Sequence, residues 1–282
     1  MNAIHSTWSK PRIYSTGDFF MEDFDILTTI LSALKWREKN GRIKMVTDRA
    51  GFEFYKSRGM CGIWDEITTE LDDIPDSINP EMFWAAGKIF ALKNQSAPVA
   101  AIDTDFIVWD RLAFNNMGDI SVIHKEDIYP DVYPDIHHFN MKQGYIFDPC
   151  LDWHEHPSNM AFYVVRNETL KNSYTDAAIE FMENSLDGDN LTYMVFAEQR
   201  LISMVAKKLN IAINAISTAE KLFKDGERYF THTWGMKQQM RDNEALRQDF
   251  CKRCVRRILT DYPHMKDILI KIDNLKAYFE DK

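Results

Sequence analysis

Two carboxylates interrupt what otherwise reads as a buried strand. The run Pro98-Val-Ala-Ala-Ile-Asp103-Thr-Asp105-Phe-Ile-Val-Trp109 sets Asp103 and Asp105 at i and i+2 between two apolar stretches. The flanks predict a strand covered on both faces, where an unpaired carboxylate is strongly disfavoured. If the backbone stays extended, residues two apart project to the same side, so both carboxylates face one point. A divalent cation there neutralises both, and hard oxygen ligands suit Mn²⁺ or Mg²⁺. The plain alternative is a strand ending in a turn, with Asp103 as a cap and Asp105 in water. A three-letter motif cannot decide between the two; the rest of the chain must.

The chain has 282 residues, 45% of them hydrophobic and 13% aromatic, enough for a substantial core and too apolar for wholesale disorder. A formal net charge of −9 argues against nucleic acid as a partner, since phosphate backbones demand a basic face. It does not exclude a nucleotide, whose diphosphate a metal ion and one or two lysines can neutralise locally. No apolar run approaches the ~20 residues of a membrane span. The opening residues lack the charged and apolar regions of a signal peptide, so a cytoplasmic location is the expectation. Four scattered cysteines make no disulfide framework. Cys251 and Cys254 form a lone C-x-x-C without two further zinc ligands nearby. Lys252, Arg253, Arg256 and Arg257 beside them are expected to favour the thiolates somewhat.

Strand-like and helix-like segments alternate through the first hundred residues. Ala3–Ser6, Ile43–Asp48 and Ile63–Glu70 read as strands. Asp25–Arg37, stopped by Asn40-Gly41, reads as a helix, as do Phe52–Arg58 and Glu81–Asn94, the last opened by Asn79-Pro80. That rhythm predicts an α/β fold with a largely parallel sheet, in which ligands lie at the carboxyl ends of the strands. Thr47, Asp48 and Asp103–Asp105 all fall there. After about residue 119 the pattern changes. Tyr129–Phe139 is turn-rich and aromatic, like a loop over a site. Ala161–Val165 is a strand, and Tyr174–Ser185 and Val195–Leu209 are helices. The division expected is a main domain over 1–240 and a helical tail over 241–282.

Four more features accompany the two aspartates. Asn159-Met-Ala161 stands at the mouth of a strand, where an amide can bond sugar hydroxyls. Glu198-Gln199 interrupts an apolar helix. His232-Thr-Trp-Gly235-Met-Lys237 groups an imidazole suited to Mn²⁺, a glycine that lets backbone approach a phosphate and an ammonium to pair with it. Lys88 lies on the helix before the aspartates, within reach of a ribose or phosphate.

Taken in this order, the motifs resemble those of the GT-A-fold glycosyltransferases, in particular the glycogenin and bacterial galactosyltransferase group. That group has a D-x-D, an N-x-G or N-x-A, an acid-Gln pair and a late H-x-x-G-x-x-K. The likeness covers residues 3 to about 240. It departs from the group in Ala161 for the commoner glycine, Glu198 for aspartate, and Lys237 one residue nearer to its glycine. The resemblance implies a Rossmann-like mixed sheet flanked by helices. It implies Mn²⁺ or Mg²⁺ on Asp103, Asp105 and His232, and a nucleotide-sugar donor, UDP-linked, contacted by Thr47, Asp48, Lys88, Thr104, Gly235 and Lys237. Asn159, Glu198 and Gln199 would serve the transfer itself, whether retaining or inverting. The acceptor would be a glycan or lipid-linked hydroxyl in polysaccharide biosynthesis.

Two other classes remain open at this point: a haloacid-dehalogenase-like phosphatase with Asp103 as nucleophile, and a silent nucleotide-sugar or glycan-binding protein. The histidines His137, His138, His154 and His156 read as an acceptor-facing loop rather than a second metal cluster. In the tail, the basic residues with Phe250, Val255, Ile258 and Leu259 offer a peripheral membrane contact, against a helix face simply packed on the domain.

Overall fold

The structure, a computed structural model, describes residues 1–224 and 226–279. In chain order the elements begin with β1 (Ala3–Thr7), α1 (Lys10–Thr16), α2 (Asp23–Lys39), β2 (Ile43–Thr47), α3 (Arg49–Ser57) and β3 (Glu66–Thr68). There follow α4 (Ala86–Lys93), β4 (Val99–Ile102), β5 (Phe106–Val108), β6 (Ile120–Val122), β7 (Phe162–Val165), α5 (Glu168–Asn184) and α6 (Asn190–Val195). A π turn (Phe196–Arg200) joins α6 to α7 (Leu201–Lys208), and β8 (Ile213–Ala215), α8 (Ala219–Leu222) and β9 (Phe230–His232) come next. The remaining helices are α9 (Met236–Asp242), α10 (Glu244–Asp261) and α11 (Lys266–Leu269).

Seven strands form one sheet in the order β3-β2-β1-β4-β7-β6-β8. The first four run parallel; β7 is antiparallel to both β4 and β6, and β8 is parallel to β6. The sheet is therefore mixed, and its helices lie on both faces, in an α/β arrangement. The antiparallel strands come from the part of the chain after residue 119, where the sequence rhythm changes. A separate two-stranded sheet pairs β5 with β9 and sets His232 opposite Phe106.

The aspartates differ from expectation in one respect. The strand ends at Ile102, and 103–106 is a turn: Asp103 N–H donates to Ala161 O (2.7 Å) and Phe106 N–H to Asp103 O (2.9 Å). The two carboxylates are brought together by that turn, not by an extended backbone. Other boundaries moved for similar local reasons. Asn79 caps the segment expected to be helical, accepting from Glu81 N (2.9 Å), but the bonds Ala86 N–H to Phe83 O and Lys88 N–H to Ala85 O are three-residue bonds, tighter than α. Regular helix begins only at Ala86. The third strand shrinks to Glu66–Thr68 because short 3₁₀ turns flank it.

Helix α2 is buried nearly all the way round, from Phe24 to Trp36. One side lies on the sheet and the β5 strand; the other is covered by α10 and the segment beyond it, through Phe250, Cys251, Cys254, Val255, Ile258, Leu269, Ile272 and Leu275. Ion pairs frame this contact: Lys35 with Asp261 (2.7 Å), Arg241 with Glu22 (2.7 Å), and Arg247 with Asp23 (2.8 Å). The apolar face on which a membrane contact was expected to rest is thus turned inward, while Lys252, Arg253, Arg256 and Arg257 are exposed. No described helix is long and apolar enough to cross a membrane. The expectation for the two cysteines reverses as well. Burial outweighs the neighbouring cations and pushes both thiols up to about 12.

Truncating Ile258, which is fully buried in this contact, is expected to cost about 2–5 kcal/mol. Urea denaturation of Ile258→Ala measures it; a change under about 0.5 kcal/mol, typical of surface sites, would show that the tail does not hold α2.

Candidate active site

The site lies where β1, β2 and β4 end, at the edge predicted for ligands in a sheet of this kind. Asp103, Asp105 and His232 each offer a ligand atom there, all within 4.8 Å of one another. Among the described residues this is the one group of three such side chains that close together. The turn after β4 supplies the aspartates and β9 supplies the histidine, which the β5–β9 pairing holds beside them.

Each carboxylate gives one oxygen to a lysine. Lys88, on α4, donates to Asp103 Oδ1 (2.6 Å) and also to Glu198. Lys237, on α9, bridges Asp105 Oδ2 (3.0 Å) and Asp25 Oδ1 (3.0 Å). The other oxygen of Asp105 faces His232 Nε2 at 3.9 Å. Burial pushes Asp103 up to about 7, with the neighbouring carboxylates adding to the shift and Lys88 opposing it. Burial opposes the charge on Asp105 too, but Lys237, His232 and Lys88 together outweigh it and hold Asp105 below its ordinary value. Burial brings His232 down to about 4, so it is neutral at pH 7 and free to act as a ligand.

A divalent cation fits this set. Four carboxylates (Asp25, Asp103, Asp105, Glu198) face two ammonium groups, leaving two negative charges in excess when all are ionised. His232 Nδ1 is buried and has no hydrogen-bond partner, so no protein group fixes the tautomer of this ring. Two carboxylates and an imidazole make a donor set suited to Mn²⁺. A cavity of about 10 Å³ lies under Lys88, Asp103 and Tyr163, room for roughly one water. A larger one, about 430 Å³, is lined by Met1, Lys39, Asn40 and residues 111–115 at the far end of α2. That is roughly 20 Å from Asp25 by helical rise, and it belongs to no part of this site.

The remaining residues named from the sequence fall into two groups. Glu198 and Gln199 stand on the π turn, a distortion often found at functional sites. Asn159 is near them: Ser158 N–H donates to Gln199 O (2.9 Å), and Asn159 Nδ2 donates to Glu126 Oε1 (2.9 Å). Gly235 precedes α9, exposed, with open space around it, and Thr104 is half-buried in the aspartate turn. Thr47 and Asp48, like Asn159, whose Oδ1 accepts from Ala161 N–H (3.1 Å), are engaged by the protein itself. Thr47 donates to Thr7 O (2.6 Å); Asp48 caps α3 through Gly51 N–H (2.9 Å) and accepts from Ser9 N–H and O–H. A Cβ on Gly51 would lie 2.1 Å from Thr47 Oγ1, so that corner closes only around glycine.

Asp25, Tyr133 and Arg200 were not anticipated from the sequence. Asp25 had only its place in the first turn of α2 as a signal, and Arg200 its place beside Glu198-Gln199 in an apolar helix. The four loop histidines do not converge: His138 bonds Thr192 Oγ1 (2.9 Å), His156 bonds Glu126 O (3.0 Å), and His137 and His154 are exposed.

A buried polar chain fixes the aspartate turn from behind. Trp64 Nε1 donates to His5 Nδ1 (3.1 Å), so His5 carries its proton on Nε2 and gives it to Ser32 Oγ (3.0 Å). Ser32 donates onward to Phe106 O (2.6 Å), the residue after Asp105.

With this geometry established, the chain can be placed among known proteins. It belongs to a family described as a family of unknown function (DUF6734), whose profile matches residues 1–272. No curated protein matches it. Among solved structures it is similar to one titled PaToxG Glycosyltransferase, at 10% identity and a TM-score of 0.44, covering 98% of this chain and 85% of that one. Another is mouse Xyloside xylosyltransferase 1 in its apo form, at 10% identity and a TM-score of 0.40, covering 77% and 85%. Likeness at that level carries no weight for function.

Burial holds His5 down to about 3, from an ordinary 6.5. The unfolded chain takes up a proton near pH 6.5 and the folded protein does not. Stability from this group is therefore full above 6.5 and falls as pH drops towards 3, by ~1.4 kcal/mol per pH unit. His5→Gln is expected to flatten the acid limb of a stability-against-pH curve by about one proton; an unchanged slope would mean that His5 is not shielded from water.

Proposed function

We propose that this protein is a divalent-metal-dependent glycosyltransferase that moves a sugar from a nucleotide-sugar donor, UDP-linked, to a hydroxyl acceptor on a glycan or lipid-linked sugar. The observation that carries the reading is the Asp103–Asp105–His232 group, whose charge excess a divalent cation would match. When bound, Mn²⁺ or Mg²⁺ supplies Lewis-acid stabilisation to the leaving diphosphate.

The chain's own residues have definable parts in this reading. Lys237, tethered between Asp25 and Asp105, would offer its ammonium to a phosphate bound beside the aspartates. Lys88 holds Asp103 and Glu198 in one orientation. Glu198 is already engaged by Lys88, so its part in this reading is to orient that lysine. Asn159 and Gln199, flanking the same wall, are the hydrogen-bonding groups for sugar hydroxyls. The phosphatase alternative is not favoured, because Lys88 already holds the Asp103 carboxylate that would have to attack.

Thermal denaturation with nucleoside diphosphates and nucleotide sugars, with and without Mn²⁺, tests the proposal. A ligand at ~100 times its Kd should add about 2.7 kcal/mol to the native state. The expected result is a Mn²⁺-dependent rise with a UDP-linked ligand that Asp105→Asn abolishes. Absence of any shift across the panel, in folded protein, would sink the transferase reading.

A further inference from the structure

Between β6 and β7 the chain runs through residues 123–161 with only one short 3₁₀ turn, Ile136–His138, and two isolated bridges. Loops of that length without their own structure are uncommon in compact domains and are usually functional or disordered. Several contacts hold this one, and a single buried side chain ties two of its separate segments together. Arg200 is 2% exposed and donates to three backbone carbonyls of the loop: Tyr133 O (2.9 Å), Pro134 O (2.5 Å) and Trp153 O. Its guanidinium also lies over the Trp153 ring, 5.3 Å from the centroid. No carboxylate pairs with it among the described residues, so this buried cation serves the loop alone.

Arg200 is the last residue of the π turn that carries Glu198 and Gln199. The stretch it grips ends in Tyr133, whose hydroxyl donates to Gln199 Oε1 (2.5 Å). Burial pushes that phenol well above its ordinary value, so it remains a donor at any physiological pH. A donor on the amide oxygen fixes which way the amide faces: the oxygen points to Tyr133 and the NH₂ group, with two donors, points away from it.

We propose that Arg200 and Tyr133 are positioning residues that act through Gln199, presenting its amide NH₂ to the substrate. Arg200 holds the loop, the loop holds Tyr133, and Tyr133 holds the amide. This inference rests on the transferase reading, since it assumes that Gln199 meets a sugar or its leaving group.

The test is a double-mutant analysis of UDP release, in the presence of Mn²⁺, from UDP-glucose, UDP-galactose and UDP-N-acetylglucosamine, using the full chain. Tyr133→Phe removes one hydroxyl, and Arg200→Lys keeps the charge but not the forked donors. Each is expected to lower kcat by about tenfold or more, with little change in KM. In a Gln199→Ala background neither should lower it further, because the group through which they act is gone. If both still cost their full factor without Gln199, the proposal is overturned and their role is support of the fold alone. If Arg200→Lys fails to fold, Tyr133→Phe decides the matter by the same comparison. Failure of wild type to release UDP from any donor would overturn the transferase reading, and this inference with it.

Discussion

Two lysines, each caught between two carboxylates, set the conditions for the rest of the molecule. Lys88 and Lys237 come from α4 and α9, on different parts of the chain, and their four acidic partners come from α2, the aspartate turn and the π turn. The pairs are half-buried, so removing one partner leaves a charge that neither a counter-charge nor full solvation offsets. The elements that carry these groups are therefore bound to one another by charge as well as by apolar contact. With all of them ionised, the acids outnumber the bases by two, and it is this imbalance that the proposed cation would offset.

How far the sequence revealed this depends on whether the relevant pattern is local. The strands Ala3–Thr7 and Ile43–Thr47 and the helix around Asp25–Arg37 were legible because apolar spacing is a property of neighbouring residues. Asp103, Asp105 and His232 were legible because their side-chain chemistry and order along the chain are unusual, and the structure does bring those three together. What was hidden depends on pairing across the fold. Asp25 looked like any acid in a first helical turn, until Lys237 on a distant helix came to face it. Asp48 seemed free to meet a ligand because nothing local shows that Ser9 fills its acceptor sites. Tyr133 gave no signal, and Arg200 only its place beside Glu198-Gln199, because their roles exist only once the long loop is folded onto the π turn.

The turn at Asp103–Phe106 shows the same limit from the other side. Alternation along an extended strand and closure of a tight turn both bring residues i and i+2 to a common point, so the motif was recognised while its backbone was not. The difference has physical content. A turn is held by single hydrogen bonds rather than by a ladder, and here one of its carbonyls is fixed by Ser32, itself oriented by His5 and Trp64. The placement of the two aspartates is thereby tied to residues on the first strand and the second helix, well away from the turn in sequence.

Helix α2 is among the first elements of the chain, and its outer cover is among the last. Asp23 meets Arg247 across 224 residues and Tyr278 across 255. During synthesis this buried helix must therefore wait, with Phe24, Leu27 and Leu31 unshielded, until the segment from Glu244 onward has emerged. Contacts at such separation form slowly, because closing the loop must precede any gain from it. For this protein the hazard of self-association lies in the interval before α10 arrives, and a nascent chain of this kind is a natural client for chaperones.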